Sequence, residues 1–353
     1  PSSNPSSLYF FLSLFLVYLS FTLSSITQLS WSTYLAPDYD DRTRLLTLRE
    51  LMALLGMFCV IAIPAIVELY DTSLSAKVSA IGIFVLISIP IITLNGLYQV
   101  PDIKSAKVEA KIENPLKTFR SLFGNVMLNK IVFAAGLIGF CMSLNGALYL
   151  IWMDVVMELP EYSSRLMLMY YLVSVLGLGM WRYLSIKTSK HFAAGVACFY
   201  AISILLIGFV GFFIVRDLDT DVKLIAVGSF IILYGISFSG PMPLINAIIA
   251  DISDKLSLDH DESISGTVFS YLTTITKVGF GLAAVIPYLV LELIWGFDIN
   301  LGVENTESSK MAIFYIYTFV PIICYSIASY MLFSHSLGRD EHEKIKSVMG
   351  EDS

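Results

Sequence analysis

Nine stretches of this chain are each long and apolar enough to cross a bilayer: roughly 8–31, 49–69, 75–98, 130–153, 164–184, 192–215, 223–250, 267–296 and 311–334. A helix of about 20 apolar residues spans the hydrocarbon. Lipid offers nothing to a backbone N–H or C=O, so a spanning segment must satisfy both internally. The pattern therefore predicts an all-α polytopic membrane protein with nine spanning helices. The composition agrees: 14% of residues are charged, against roughly 25% in soluble domains.

The connections between the stretches predict an orientation. One set, with Arg42, Arg44 and Arg49, the stretch 102–130, the stretch 180–190, the loop near Lys255 and the C-terminal tail, carries sixteen Lys and Arg. The other set carries five: Lys77, Arg165, Arg216, Lys223 and Lys310. Basic loops stay on the cytoplasmic side. The C-terminus is thus expected inside a plasma or inner membrane, and the first residue outside. The longest cytoplasmic connection, 99–129, leaves three stretches before it and six after. Within it, NPLKTFRSLFGNVMLNK reads equally as an amphipathic segment on the inner membrane surface or as an ordinary linker. The opening PSSNPSSLYF has no basic region or cleavage site, so it is not a signal peptide. It reads as a start part-way through a longer protein.

Several function classes find no support. Cys59, Cys141, Cys198 and Cys324 fall in different apolar runs, without a CxxC. The four histidines lie in or near loops without metal-ligand spacing. No P-loop, GxGxxG, filter motif or clustered acid–base set occurs. No metal, cofactor or nucleic acid is therefore expected. The partners expected are a small-molecule solute and the bilayer, with the chain acting as a monomer.

Inside the spans, polar residues fall on shared helix faces. Lys277 sits eleven residues into an uncharged run that begins at Gly266. A charge there costs about 2.5–3.5 kcal/mol on insertion scales and faces a cavity or the bundle interior. Ser270, Thr273, Thr274 and Gly281 share its face. In the first span Ser20, Ser24, Thr27 and Trp31 form a stripe with Gln28 on its edge. In the fourth, Asn145, Tyr149 and Trp152 align. Ser88 and Asn95 align in the third, and Asn246 lies near Pro241 and Pro243 in the seventh, where the prolines predict a kink. Hydroxyls, amides and aromatic faces are what a hydroxyl-rich solute requires. The alternative is that Ser and Thr bond their own backbone or glue helices, and that Trp31 and Trp152 anchor at the interface. No acid in this chain is an evident partner for Lys277. At the cytoplasmic ends, Asp251 and Asp254 are expected to pair with Arg182 or Lys187 as a gate. Arg42 and Arg49 invite the same reading with Asp38, Asp40 and Asp41. Solvated topology determinants are the alternative for these charges.

Four segments carry a resemblance: Asp38, Arg42, Thr43 and Arg49 within PDYDDRTRLLTLRELMALLG; GLGMWRYLSIKTSKH; the AD-x-x-D pair Asp251 and Asp254; and SYLTTITKVG with Lys277. In these the chain resembles the glycoside–pentoside–hexuronide:cation symporters, the melibiose-carrier group of the major facilitator superfamily. The resemblance covers nearly the whole chain and implies helices four to twelve of a twelve-helix carrier. Residues 1–98 would complete the N-terminal bundle, 99–129 would be the cytoplasmic connection, 130–335 the C-terminal six-helix bundle and 336–353 a cytoplasmic tail. It implies symport of a sugar, glycoside or other small organic solute by alternating access, with Na+ or H+ as coupling ion. Thr27 stands where sugar carriers of this group often have an aspartate, with Gln28 beside it, and the family's cation-site acids lie largely in a helix that precedes this stretch. A lipid-like solute, a non-transporting remnant and a partner-dependent membrane protein remain open.

Overall fold

A computed structural model describes residues 7–36, 39–67, 74–99, 122–260 and 264–334. Among them ten α-helices and no strand occur. The helices are α1 (Ser7–Leu35), α2 (Tyr39–Val67), α3 (Leu74–Gln99), α4 (Val126–Ile151), α5 (Ser163–Lys187), α6 (Lys190–Val215), α7 (Thr220–Phe238), α8 (Pro241–His260), α9 (Ser265–Trp295) and α10 (Glu307–Phe333). Polar side chains mark several ends. Asn125 accepts from the Leu128 N–H at the start of α4, and Ser189 accepts from the Phe192 N–H at the start of α6. Gly296, with φ of 61°, closes α9 in the left-handed region that favours glycine.

Eight of the described segments are long and apolar enough to cross a membrane, against the nine expected. The expected span 49–69 lies on α2 and continues past Val67 into residues outside those described. The first turns of α2 carry Asp40, Asp41, Arg42 and Arg44, and its described residues stop at Val67. Two expected loops are helical instead. The basic segment after Asp40 forms the start of α2, and the residues around Lys255 belong to α8. Helix α2 has 29 residues. At 1.5 Å per residue that is about 44 Å, longer than the hydrocarbon is thick. A helix of this length that crosses a bilayer carries its charged first turns beyond the apolar layer.

The expected seventh span, 223–250, is not one kinked helix but two helices broken at Ser239–Gly240. Pro241 and Pro243 carry no N–H, so the ladder cannot run through them. The Gly240 N–H turns to Ser237 O, which frees the Ile236 carbonyl. Trp181 Nε1 donates to that carbonyl at 2.8 Å. Pro241 instead opens α8, where a missing N–H costs nothing.

The bundle core is built from α4, α6, α8, α9 and α10, with α5 against α7. Glycines allow the closest approach. A Cβ on Gly136 would meet Ile275 Cγ2 at 2.8 Å, and a Cβ on Gly279 would overlap the Gly136 carbonyl oxygen. The core has two parts along the bundle. One, with Leu128, Ala197 and Ile248, lies toward the end that carries Lys190. The other, rich in Trp152, Phe212, Phe314 and Tyr317, lies toward the end that carries Arg216. Helix α1 packs on α9 and α8, and α2 packs on α5 and α8. Helices α1 and α2 therefore meet the bundle of α4–α10 along a seam, and the charged first turns of α2 lie at its Lys190 end.

Candidate functional site

At that end two cations and two carboxylates come together. Arg42 Nη1 lies 2.8 Å from Asp251 Oδ1 and 2.7 Å from Asp254 Oδ2. Lys190 Nζ lies 2.7 Å from Asp251 Oδ2. The side chains of Arg42, Lys190 and Asp251 are 1%, 1% and 4% exposed, so these are buried charges rather than solvated ones. Arg42 Nε also donates to Ala36 O at 3.2 Å, just beyond α1. One guanidinium thus joins the α1–α2 turn to α8, and Asp251 joins α8 to the start of α6. Burial works against the charge of Arg42, but the carboxylates of Asp254 and Asp251 outweigh it and hold the guanidinium above its ordinary range.

This pairing departs from the expected one. Arg42 and Lys190, not Arg182 or Lys187, face Asp251 and Asp254. Lys190 is the first residue of α6, and its stem reaches into the seam. Arg182 is half-buried on α5, and its Nε has no acceptor among the described residues. Lys187 is exposed and lies over the Tyr183 ring. Arg49 lies about two turns beyond Arg42, with its Nε buried and without an acceptor among the described residues. Asp38 lies outside the described residues. Lys190 carried no signal of its own in the sequence, because it reads as one more basic residue of a cytoplasmic loop.

Asn145 and Tyr149 lie together in the wall of a tyrosine-rich recess formed with Tyr170, Tyr171, Tyr234 and Tyr317. Asn145 Nδ2 donates to the Tyr234 hydroxyl at 2.6 Å, while its Oδ1 is buried and accepts nothing among the described residues. Tyr149 donates to Ser163 O at 2.8 Å. A free amide acceptor among phenol rings is a place for a hydroxyl donor with an apolar ring face. The sequence contained a usable signal for the tyrosines. Membrane tyrosines concentrate at span ends, whereas Tyr234 lies well inside the apolar segment 220–257.

Trp152 does not line this recess. It begins a π-helical turn, Trp152–Val156, and stacks on Tyr317 at 5.0 Å. Thr27 is exposed and donates to Leu23 O and Ser24 O of its own helix. Gln28 is exposed and reaches Ser24 Oγ at 3.5 Å. Trp31 is half-buried and Thr273 is buried. Ser270 and Thr274 also bond their own helix backbone. Lys277 Nζ donates to Thr22 Oγ1 and lies 5.1 Å from the centre of the Phe21 ring, so α9 meets α1 through this lysine. Among the described residues its partners are a hydroxyl and an aromatic face. Trp152 backs the tyrosine recess through Tyr317, and among the described residues Thr27, Gln28, Trp31, Thr273 and Lys277 do not line it.

Geometry alone thus gives a buried charge clasp at one end of a helical seam and a polar, aromatic recess inside the larger bundle. None of the curated proteins compared with the chain matches it. The description of the family model is "MFS/sugar transport protein", and it matches residues 1–339. The chain is therefore a member of this family of multi-pass membrane transporters.

Proposed function

We propose that the protein is a cation-coupled carrier of a small polyhydroxylated solute, a sugar or glycoside, working by alternating access. The observation that carries this reading is the Arg42–Asp251–Lys190 cluster with Asp254, which joins α2 to α8 and α6. In this reading it is the cytoplasmic gate, drawn in its fastened state. Alternating access needs a seam that closes at one face and opens at the other. Four charges that balance can be buried together. Once the seam parts, each charge regains water, so the contact is reversible.

The recess of Asn145, Tyr149, Tyr170 and Tyr234 is the solute wall contributed by the six-helix bundle in this reading. The Asn145 Oδ1 accepts from a solute hydroxyl, and the tyrosine rings stack on the sugar's C–H face. Lys277, held by Thr22 across the seam, senses occupancy by exchanging that hydroxyl for a solute or cation-linked group. The coupling ion is Na+ or H+.

The test is uptake of radiolabelled sugars and glycosides into proteoliposomes, with a Na+ or a proton gradient imposed separately. Accumulation driven by one gradient, and reduced at least about tenfold by Asn145→Leu, is the expected result. Gradient-independent uptake, or uptake indifferent to Asn145, would overturn the assignment.

A further inference from the structure

A second cavity, of about 230 Å³ and almost wholly apolar, lies between α6, α7 and α10 toward the Arg216 end. No residue of α1, α2 or α3 lines it, so it stands apart from the seam. Its mouth carries Ile207 on α6 and Ser229 and Leu233 on α7, all three exposed. These positions lie within membrane-spanning segments, so the mouth opens sideways onto lipid and not onto water. Gly208 lets Phe230 pack against the α6 backbone, while Gly211 has nothing within 4 Å of where its Cβ would be. That is open space in the cavity wall. Apolar cavities of ~150 Å³ stay dry and accept apolar guests.

One lining residue also carries a buried polar atom without a partner among the described residues. Trp152 lines it, is 3% exposed, and its Nε1–H has no acceptor among the described residues. A buried indole N–H normally finds a partner. Trp152 lies near the end of the apolar segment 126–156, at the depth where hydrocarbon gives way to polar headgroups. The lining therefore calls for a ligand with a long apolar part and a hydrogen-bond acceptor at interfacial depth.

We propose that this cavity binds an acyl chain of a bilayer glycerophospholipid, which enters between α6 and α7 from the leaflet at the Arg216 end. An ester carbonyl oxygen of that lipid accepts from the Trp152 N–H. The site is separate from the solute recess, although Phe230 and Tyr317 wall both, so lipid occupancy also sets how those two rings sit beside a solute.

The full chain is reconstituted in liposomes containing phosphatidylcholine with a photoactivatable diazirine on one acyl chain. After illumination, labelled peptides are mapped by mass spectrometry. Labelling concentrated on 204–233 is expected. It falls about tenfold in Gly211→Leu, which fills the cavity, and severalfold in Trp152→Phe, which keeps the ring and removes the N–H. If Gly211→Leu does not elute as a monodisperse helical protein, Ala226→Leu fills the opposite wall. Gly146→Leu, which fills the tyrosine recess, leaves lipid labelling unchanged. Labelling spread over all outward helix faces, or insensitive to either filling substitution, or abolished by Gly146→Leu, overturns the proposal. The readout is independent of transport, so a failed sugar assignment leaves this test intact.

Discussion

Asp251 accepts from both Arg42 and Lys190 and is 4% exposed, whereas Asp254, which also faces Arg42, is 17% exposed. The two carboxylates should therefore differ on neutralisation. Removing one partner of a buried pair costs about 3–5 kcal/mol, and a more exposed pair costs less. Asp251→Asn is expected to lower the unfolding temperature in detergent clearly more than Asp254→Asn, and an equal loss would mean that burial and pairing do not set the cost of neutralising these carboxylates. Asn145 offers a second contrast. Asn145→Leu loses the amide donor to Tyr234 as well as the free acceptor. Tyr234→Phe loses only the phenol and should leave most of the solute affinity, within about tenfold. At this scale the sequence singles out Asn145 and Lys277, polar residues standing in apolar surroundings. It was silent on partners. Arg42 and Asp251 are 209 positions apart, and nothing local distinguishes Lys190 from its basic neighbours. The polar groups of Thr27, Gln28, Ser270 and Thr274 turned to their own helices, because in lipid a hydroxyl or amide takes the nearest acceptor.

Helix-to-helix contacts depend on a few glycines. Gly279 of α9 lies against the Gly136 carbonyl of α4, while Gly281, two residues along, has nothing within 4 Å. Overpacking a tight contact costs about 1–3 kcal/mol. Gly279→Ala should therefore destabilise the protein by that order and Gly281→Ala should be close to neutral, which thermal unfolding of the two variants would compare directly. The break between α7 and α8 makes a related prediction. Trp181→Phe leaves the Ile236 carbonyl without its donor, at a cost of about 1–3 kcal/mol. Faster proteolysis or hydrogen exchange around 236–243 than in the native chain is the expected sign. Most helices were legible as apolar runs, since burial in lipid imposes one length on them all. The break was legible only as two prolines. A proline pair marks a lost ladder bond, but whether the helix bends or stops depends on a donor from elsewhere, here Trp181. The charged turns of α2 and α8 read as loops because apolarity marks the hydrocarbon layer and not where a helix ends.

For the whole molecule, the two ends of α6 give the sharpest test of orientation and of the clasp together. Thr188, exposed just before α6, and Leu218, exposed just after it, flank opposite ends of a 26-residue helix. At 1.5 Å per residue they are separated by about 40 Å, more than the hydrocarbon thickness. If basic loops lie inside, an impermeant maleimide on intact cells should label Leu218→Cys and spare Thr188→Cys, once the exposed native Cys59 is replaced. Inside-out vesicles should reverse the result, and the opposite pattern would invert the topology. The same reagent then reads the seam. With the Arg42–Asp251–Lys190 contacts made, a cysteine at position 145 should react only from the Leu218 side. Adding Asp251→Asn removes a carboxylate that faces two cations and leaves Arg42 and Lys190 repelling each other. The closed seam then loses free energy that the open one, with its charges in water, does not. A loss of about 3 kcal/mol shifts such an equilibrium by more than a hundredfold. Position 145 should consequently become reactive from the Thr188 side. Unchanged labelling from that side would mean that the buried charges hold the fold together without governing which face of the seam is open.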